Sequence, residues 1–272
     1  MRPLVAFEHL LSEYRRLGGI SNVDLALLYQ TRRCLFVEGD SDSDALPRIA
    51  ERLGVNLFSG RNQYVVFRFR GRDKFTMVKD LADLLAEMTG LEIEWFVLRD
   101  RDSATPRALS HLHRQAIDKG IPNYHIWESC CWENCLLEPP MLLRTIEKKS
   151  RERGVVDAPS ASWVERTLEK VASAVLEEVR PVFLSEAQSF YVRNELGDRP
   201  RDDALRDSLA YLDTCASLDA ALRILPGPRL FGRFVVALQE EHGLTLSIGE
   251  VIDSLSADDV PEEIREFFSK LV

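Results

Sequence analysis

Carboxylates stand at the ends of three apolar runs in the first half of this sequence. Arg33-Cys34-Leu35-Phe36-Val37 is followed by Glu38, with Asp40 and Asp42 close behind. Glu94-Trp95-Phe96-Val97-Leu98 leads through Arg99 to Asp100 and Asp102. Tyr124-His125-Ile126-Trp127 leads to Glu128 and Glu133. Gathered at one place, these groups would repel, because like charges disfavour each other's ionised form. A hard divalent cation relieves that repulsion. An all-oxygen set suits Mg²⁺, Mn²⁺ or Ca²⁺, and Mg²⁺ usually keeps waters and substrate phosphate oxygens in its shell. The two carboxylates of Asp100-Arg101-Asp102 lie two residues apart just past a strand, so both can serve one ion. Gly39 allows a close backbone approach or a positive φ at the first turn. One acidic turn after a strand is ordinarily a solvated loop or a helix cap. Three of them on successive strands point to a shared site.

The elements that would position these residues alternate. The short apolar runs at 33–37, 64–69, 94–98 and 124–127 read as strands. Between them lie helical patterns: Asp44–Leu53 with Ala45, Leu46, Ile49 and Leu53 on one face, Phe75–Met88, and Pro106–Lys119 closed by Gly120. Strands alternating with helices of this length predict a mostly parallel sheet covered on both faces. In such sheets functional groups gather beyond the carboxyl ends of the strands, which is where the carboxylates fall. The first thirty residues read as amphipathic helices broken at Gly18-Gly19, with Ser21-Asn22 as a cap. After Pro139-Pro140 the pattern is helical. Trp163–Val179 and Asp202–Cys215 are the clearest stretches, Pro181, Gly197 and Pro200 punctuate the region, and helices are predicted over 231–241, 247–255 and 261–272.

Composition excludes several classes. The chain has 272 residues, 45% hydrophobic and 29% charged, enough apolar material for a core rather than a disordered chain. With 35 basic against 44 acidic residues the formal charge is -9, so a uniformly basic nucleic-acid coat is ruled out while local basic patches are not. Two such runs stand out, Arg68-Arg70-Arg72-Lys74 and Arg144-Lys148-Lys149-Arg151-Arg153. A solvated face is the ordinary reading of each; phosphate contact is the functional one. No apolar run reaches a membrane span, and the N-terminus does not read as a signal peptide, so a cytoplasmic protein without membrane contact is expected. Five cysteines without a secretory signal read as free thiols in a reducing compartment. Cys130, Cys131 and Cys135 have no second Cys/His pair at zinc-ligand spacing. There is no Gly-x-Ser-x-Gly, and His111 and His113 lie on a charged helix, so a Ser-His-Asp or Cys-His hydrolase lacks support.

At this point the sequence resembles a known family. Val37-Glu38-Gly39-Asp40-Ser41-Asp42 followed by Leu46 looks like the Glu-Gly-x-x-Asp segment of Toprim domains, and Leu98-Arg99-Asp100-Arg101-Asp102 resembles their Asp-x-Asp strand end. Trp132-Glu133-Asn134-Cys135-Leu136-Leu137-Glu138-Pro139 resembles the Glu-Asn-Tyr-Leu-Leu stretch of the OLD (overcoming lysogenisation defect) nucleases. Ser21-Asn22-Val23-Asp24 is similar to the lead-in of that branch, and Ile224-Leu225-Pro226-Gly227 with Leu230-Phe231 is similar to its late Pro-Gly-Lys region. The resemblance is weakest over 150–215.

The resemblance implies an α/β Toprim fold, Rossmann-like, with an inserted all-helical subdomain. The expected division is a helical lead-in over 1–30, a Toprim core over 31–145, a helical insertion over 146–222, and C-terminal helices over 223–272 completing the Toprim side. It implies a nuclease cleaving DNA by a two-metal mechanism, with Mg²⁺ or Mn²⁺ as cofactor and Ca²⁺ as a non-productive or supporting ion. Carried over by position, Glu38 and Asp42 fall on the first motif, Asp100 and Asp102 on the second, and Glu133 on the third. These are the expected metal ligands and catalytic carboxylates, with Glu38 on the attacking-water side. The family lysine after Pro-Gly is replaced by Pro228, so Arg229, or next Arg233, is expected to supply the cation, although Arg is a broader fork than the point charge of Lys. Cys135 stands where the family has an aromatic.

Full-length members of the family also carry an ABC-type ATPase. No Gly-x-x-x-x-Gly-Lys-Ser/Thr occurs here, so the ATPase is expected elsewhere, in cis or in trans. RNA stays open as a substrate, a homodimer stays open as an assembly, and phage defence or DNA repair is the biological setting suggested by analogy. The rival expectation is a degenerate Toprim module that binds nucleic acid or the ATPase without cleaving; Pro228 favours it. A topoisomerase or primase use lacks the additional domains.

Overall fold

The structure is a computed structural model. It describes residues 22–60, 63–69, 79–80, 83, 86–87, 90, 92–121, 123–155 and 157–272. The predicted N-terminal helices before Asn22, the Ser21 cap, and Arg70, Arg72 and Lys74 lie outside the described residues, as does most of the predicted helix 75–88.

The chain divides into two compact units. The first comprises residues 1–99, 115–126 and 265–272; the second comprises 100–114 and 127–264.

The first unit holds the sheet. Helix α1 (Asn22–Thr31) leads into strand β1 (Arg33–Val37), followed by α2 (Asp40–Arg52), β2 (Val65–Arg68), β3 (Glu94–Arg99) and β4 (Tyr124–Ile126). All pairings are parallel and the order is β2-β1-β3-β4. Cys34, Leu35, Phe36 and Val37 are all fully buried, so β1 is covered on both faces, as a central parallel strand must be. Cys34 and Phe36 pack with Val65, Phe67, Phe69 and Val97 on one side, against Leu28, Ala116 and Ile121. The mostly parallel sheet expected from the alternating pattern is present. Each strand lies within a residue or so of its predicted bounds. Phe96 and Trp127 are buried and Trp95 packs on the core, so these aromatics are core residues.

The remaining helices are α3 (Pro106–Asp118), whose first part belongs to the second unit, α4 (Pro139–Arg153), α5 (Ala161–Arg193), α6 (Pro200–Asp213), α7 (Leu218–Ile224), α8 (Gly227–His242), α9 (Ile248–Ser254) and α10 (Glu262–Leu271). The second unit is built on α5, against which α4, α6, α7 and α8 pack. Ser160 caps α5 by accepting from the Trp163 amide at 3.2 Å. One expectation is corrected here. Pro181 does not punctuate the region; α5 runs through it for 33 residues. A proline inside a helix forfeits one backbone hydrogen bond. Burial of Val175, Val179, Phe183 and Ala187 on either side of an exposed Pro181 keeps the helix continuous. Among the described residues no helix is long and apolar enough to cross a membrane. The five cysteines are free and buried.

Candidate active site

The first acidic turn joins β1 to α2 within the sheet unit. Glu38 follows the last strand residue, and one of its carboxylate oxygens lies 3.3 Å from Nε of Arg99, the last residue of β3. Both side chains are largely withdrawn from water, 15% and 7% exposed, so this ion pair is weakly screened. Arg99 also donates to the Tyr124 hydroxyl at 3.4 Å. Burial pushes the Tyr124 phenol up; Arg99 opposes the shift and the Glu38 charge adds to it. Gly39 has φ -129, so of its two expected uses the turn takes the close approach and not the positive φ. Its amide donates to the Asp42 carboxylate at 2.9 Å, and a Cβ on Gly39 would sit 3.2 Å from that carboxylate. Asp42 is therefore a buried carboxylate, 4% exposed, turned back onto its own turn. Asp40 is exposed and pairs with Arg68, the one member of the first basic run among the described residues.

The second and third motifs lie in the other unit. Asp100 opens a loop directly after β3. Asp102 has φ 54, so the second carboxylate is carried on a left-handed turn and not on an extended continuation of the strand. Asp tolerates this region better than most residues. The Asp102 amide donates to the Cys130 carbonyl at 2.9 Å, tying the loop to the segment that bears the third motif. Between the carboxylates, Arg101 donates to the Ala104 carbonyl at 3.0 Å and the Glu128 carbonyl at 2.6 Å.

Glu133 sits in a 3-10 turn, Trp132–Leu136, and is 7% exposed. The Cys131 thiol is pushed far up by its hydrogen bond with Cys130, by burial, and by the negative charges of Glu133 and Asp100. Asp100 and Glu133, thirty-three positions apart in sequence, therefore act on one thiol, and the unit brings the second and third motifs to one place. Glu128 is exposed, and its backbone amide is held by Glu263. Glu263 also takes the Ser129 amide at 3.1 Å, the Ser129 hydroxyl at 2.7 Å and the Cys135 thiol at 3.5 Å.

Asn134, next to Glu133, is a residue that the motif's carboxylates drew attention away from. Its side-chain oxygen accepts from the Cys131 amide at 3.0 Å, and its amide nitrogen donates to the carbonyls of Leu222 at 2.5 Å and Leu225 at 2.7 Å. Gly227, at the start of α8, approaches so closely that a Cβ would lie 2.8 Å from the Asn134 side-chain oxygen and 2.9 Å from its backbone nitrogen. The Glu-Asn and Pro-Gly segments are thus two halves of one clamp. Both were visible in sequence as parts of the resemblance, but their mutual contact was not.

The expected cation, Arg229, lies in the first turn of α8, more than half exposed, 4.0 Å from Glu178 of α5. Arg233, one turn on, pairs with the same carboxylate. In the second basic run Arg144 pairs with Asp259 at 2.7 Å and Lys149 with Glu250, whereas Lys148, Arg151 and Arg153 are exposed.

The donor set of Glu38, Asp42, Asp100, Asp102 and Glu133 is all carboxylate and fits a hard divalent cation in chemistry. Among the described residues no three His, Cys, Asp or Glu side chains are grouped as a metal cluster. Compared with known proteins, residues 31–102 match the family model described as "Overcoming lysogenization defect protein-like, TOPRIM domain". The match begins before β1 and ends on Asp102, so it contains Glu38, Asp42, Asp100 and Asp102. No curated protein and no solved structure matches the chain. A domain of this kind supports a nucleic-acid-related, metal-binding role of the nuclease type.

Proposed function

We propose, starting from the OLD-like Toprim region that residues 31–102 form, that this protein is a Mg²⁺- or Mn²⁺-dependent nuclease that cleaves DNA phosphodiester bonds. The observation that carries the reading is the placement of Glu38 and Asp100 immediately after β1 and β3, adjacent parallel strands, inside the matched residues. Glu38, Asp42, Asp100, Asp102 and Glu133 would hold the ions. A pair of such ions supplies an activated water and a stabilised leaving oxygen. Glu38 faces the water side in this reading, with the Arg99 guanidinium 3.3 Å from its carboxylate. Asp42 keeps the first turn closed through the Gly39 amide. Arg229 supplies positive charge toward the scissile phosphate, for which it must leave Glu178. Exposed Lys148, Arg151 and Arg153 contact the DNA backbone. The Toprim core over 31–145 carries the chemistry, and an ABC-type ATPase works with it in cis or in trans.

The pairing of Arg229 with Glu178, together with Pro228 in the lysine position, favours a second reading: a module that binds nucleic acid or its ATPase without cutting. One experiment separates the two. Supercoiled and linear DNA are incubated with wild type and Glu38→Ala in Mg²⁺, Mn²⁺, Ca²⁺ or EDTA. Cleavage by wild type in Mg²⁺ or Mn²⁺, lost in EDTA and in Glu38→Ala while circular dichroism shows that variant still folded at the assay temperature, supports the nuclease. Binding without cleavage under every condition supports the module.

A further inference from the structure

The loop that carries Asp100 and Asp102 contains no glycine, yet it makes a left-handed turn at Asp102. A non-glycine residue in that region is strained and persists where its surroundings over-determine it. The surroundings are on the page. Alternate residues of the loop are each taken by a side chain of the two helices α5 and α6. The Arg101 guanidinium lies 4.7 Å over the ring of Tyr211 on α6. The Ser103 hydroxyl donates to Glu186 on α5 at 2.6 Å. The Thr105 hydroxyl bonds the Tyr191 hydroxyl on α5 at 2.7 Å and caps α3 through the Ala108 amide at 3.3 Å. Tyr191 is fully buried and also donates to Asp207 of α6 at 3.0 Å, so the third anchor is itself braced by both helices. Burial pushes the Tyr191 and Tyr211 phenols up to about 12, so both rings stay neutral across the working pH range.

We infer that α5 and α6 set the geometry of the Asp100–Asp102 turn, with Tyr211, Glu186 and Tyr191 as positioning residues for the carboxylates that would receive the metal. The inference rests on the metal-binding reading proposed above for those two residues. It assigns to the helical region a task that a substrate-gripping insertion would not have. A cation over a ring face that is also held by two carbonyl contacts is fixed more tightly than by any one of them alone. Because Arg101 lies between the two carboxylates, its freedom is theirs. Residues that orient metal ligands from behind commonly change metal affinity 10- to 100-fold when removed.

The test uses the full chain and two readouts. Hydrogen–deuterium exchange over 100–105 is measured in metal-free protein, and Mn²⁺ binding is measured by calorimetry on the same preparation. Tyr211→Leu removes the ring, Tyr211→Phe keeps it, and Glu186→Ala cuts an independent anchor in case Tyr211→Leu does not fold. The expected result is exchange over 100–105 at least about tenfold faster in Tyr211→Leu and Glu186→Ala, unchanged exchange in the middle of α5, and Mn²⁺ affinity about tenfold weaker. Tyr211→Phe should match wild type in both. Unchanged loop exchange in both disruptive variants, or faster exchange with undiminished Mn²⁺ affinity, overturns the inference. If loop exchange responds as expected but wild type binds no Mn²⁺, the helices do hold the turn and it is the metal-binding reading that falls.

Discussion

The turn after β1 and the loop after β3 carry the same residue type and are held in different ways. In the first, the fastening of Asp42 is local, by the amide of Gly39 three residues back, and one arginine from the adjacent strand β3 faces Glu38. In the second, the fastenings come from far along the chain, from Tyr211, Glu186 and Tyr191 for the Asp100–Asp102 loop, and from Leu222 and Leu225 for Asn134 beside Glu133. A site built in the first way depends on a few residues of one unit. A site built in the second depends on the helical region being folded. Disturbing distant supports should therefore damage the second and third motifs more than any local change damages the first.

The largest effect tests the one long-range element of the first turn. Arg99→Met removes the guanidinium 3.3 Å from Glu38. Breaking one side of a buried pair typically costs about 3–5 kcal/mol, because the remaining charge stays desolvated. A loss near the lower end, about 3 kcal/mol, is expected in urea unfolding, since Glu38 keeps 15% exposure. The double variant Arg99→Met with Glu38→Gln should recover part of it. A loss below about 1 kcal/mol would mean that the other contacts of Glu38 carry its charge and that the first turn is local throughout.

Next in size is the clamp. Asn134→Ala leaves the Leu222 and Leu225 carbonyls without the Asn134 amide, and each buried group so abandoned costs about 1–3 kcal/mol. A total at the lower end of that sum, about 2 kcal/mol, is expected in the same assay, because the freed carbonyls keep their places in a helix and its cap. Gly227→Ala presses a methyl group to within 2.8 Å of Asn134 and should cost about 1–3 kcal/mol as overpacking, with cleavage falling alongside because Glu133 adjoins the displaced residue. Gly39→Ala is the matched control. Its Cβ meets one carboxylate oxygen at 3.2 Å from an unstrained extended φ, so about 1 kcal/mol or less is expected. Equal losses at Gly39 and Gly227 would erase the contrast between the two regions.

That contrast also explains what could be read without coordinates. β1 is legible because Arg33–Val37 is an apolar run bounded by Glu38-Gly39, and its parallel setting follows from the helix that succeeds it. The carboxylates are legible because strand ends announce them. Their supports are not. Nothing about Tyr211 in a charged helix marks it as the partner of Arg101, and nothing about Leu222 marks its carbonyl as the acceptor for Asn134. Such pairings are fixed by how α5, α6 and α7 pack, which periodicity does not encode. Pro181 was misread for a related reason: the local rule says break, and burial of Val179 and Phe183 on either side says continue. The convergence of Asp100 and Glu133 on Cys131 was foreshadowed by the parallel strands, while the left-handed Asp102 was not, because a loop without glycine gives no sign of a positive φ.

The smallest effect asks whether a local motif inside the helical unit behaves like the first turn. At the start of α9, Ser247 and Glu250 cap each other, the Ser247 amide donating to Glu250 at 2.7 Å and the Glu250 amide to the Ser247 hydroxyl at 3.2 Å. Burial pushes the Glu250 carboxyl up, but the Lys149 ammonium and the Ser247 amide and hydroxyl outweigh it and hold it below the usual carboxylate range. A carboxyl lowered in the folded state stabilises the fold above its unfolded value, near 4.5, and that contribution is lost as pH falls through the folded value. Glu250→Gln should therefore cost a few tenths of a kcal/mol near neutral pH, a large exposed fraction of the side chain screening the pair, and nothing well below pH 4. The check is the difference in urea midpoint between the two proteins from pH 7 down to pH 3. A difference that closes on acidification, with cleavage unchanged at neutral pH, makes this cap self-contained like the Gly39–Asp42 turn. A difference that persists or grows at low pH would show that Glu250 contributes by packing and not by charge. A loss of cleavage would place it among the distant supports of the site.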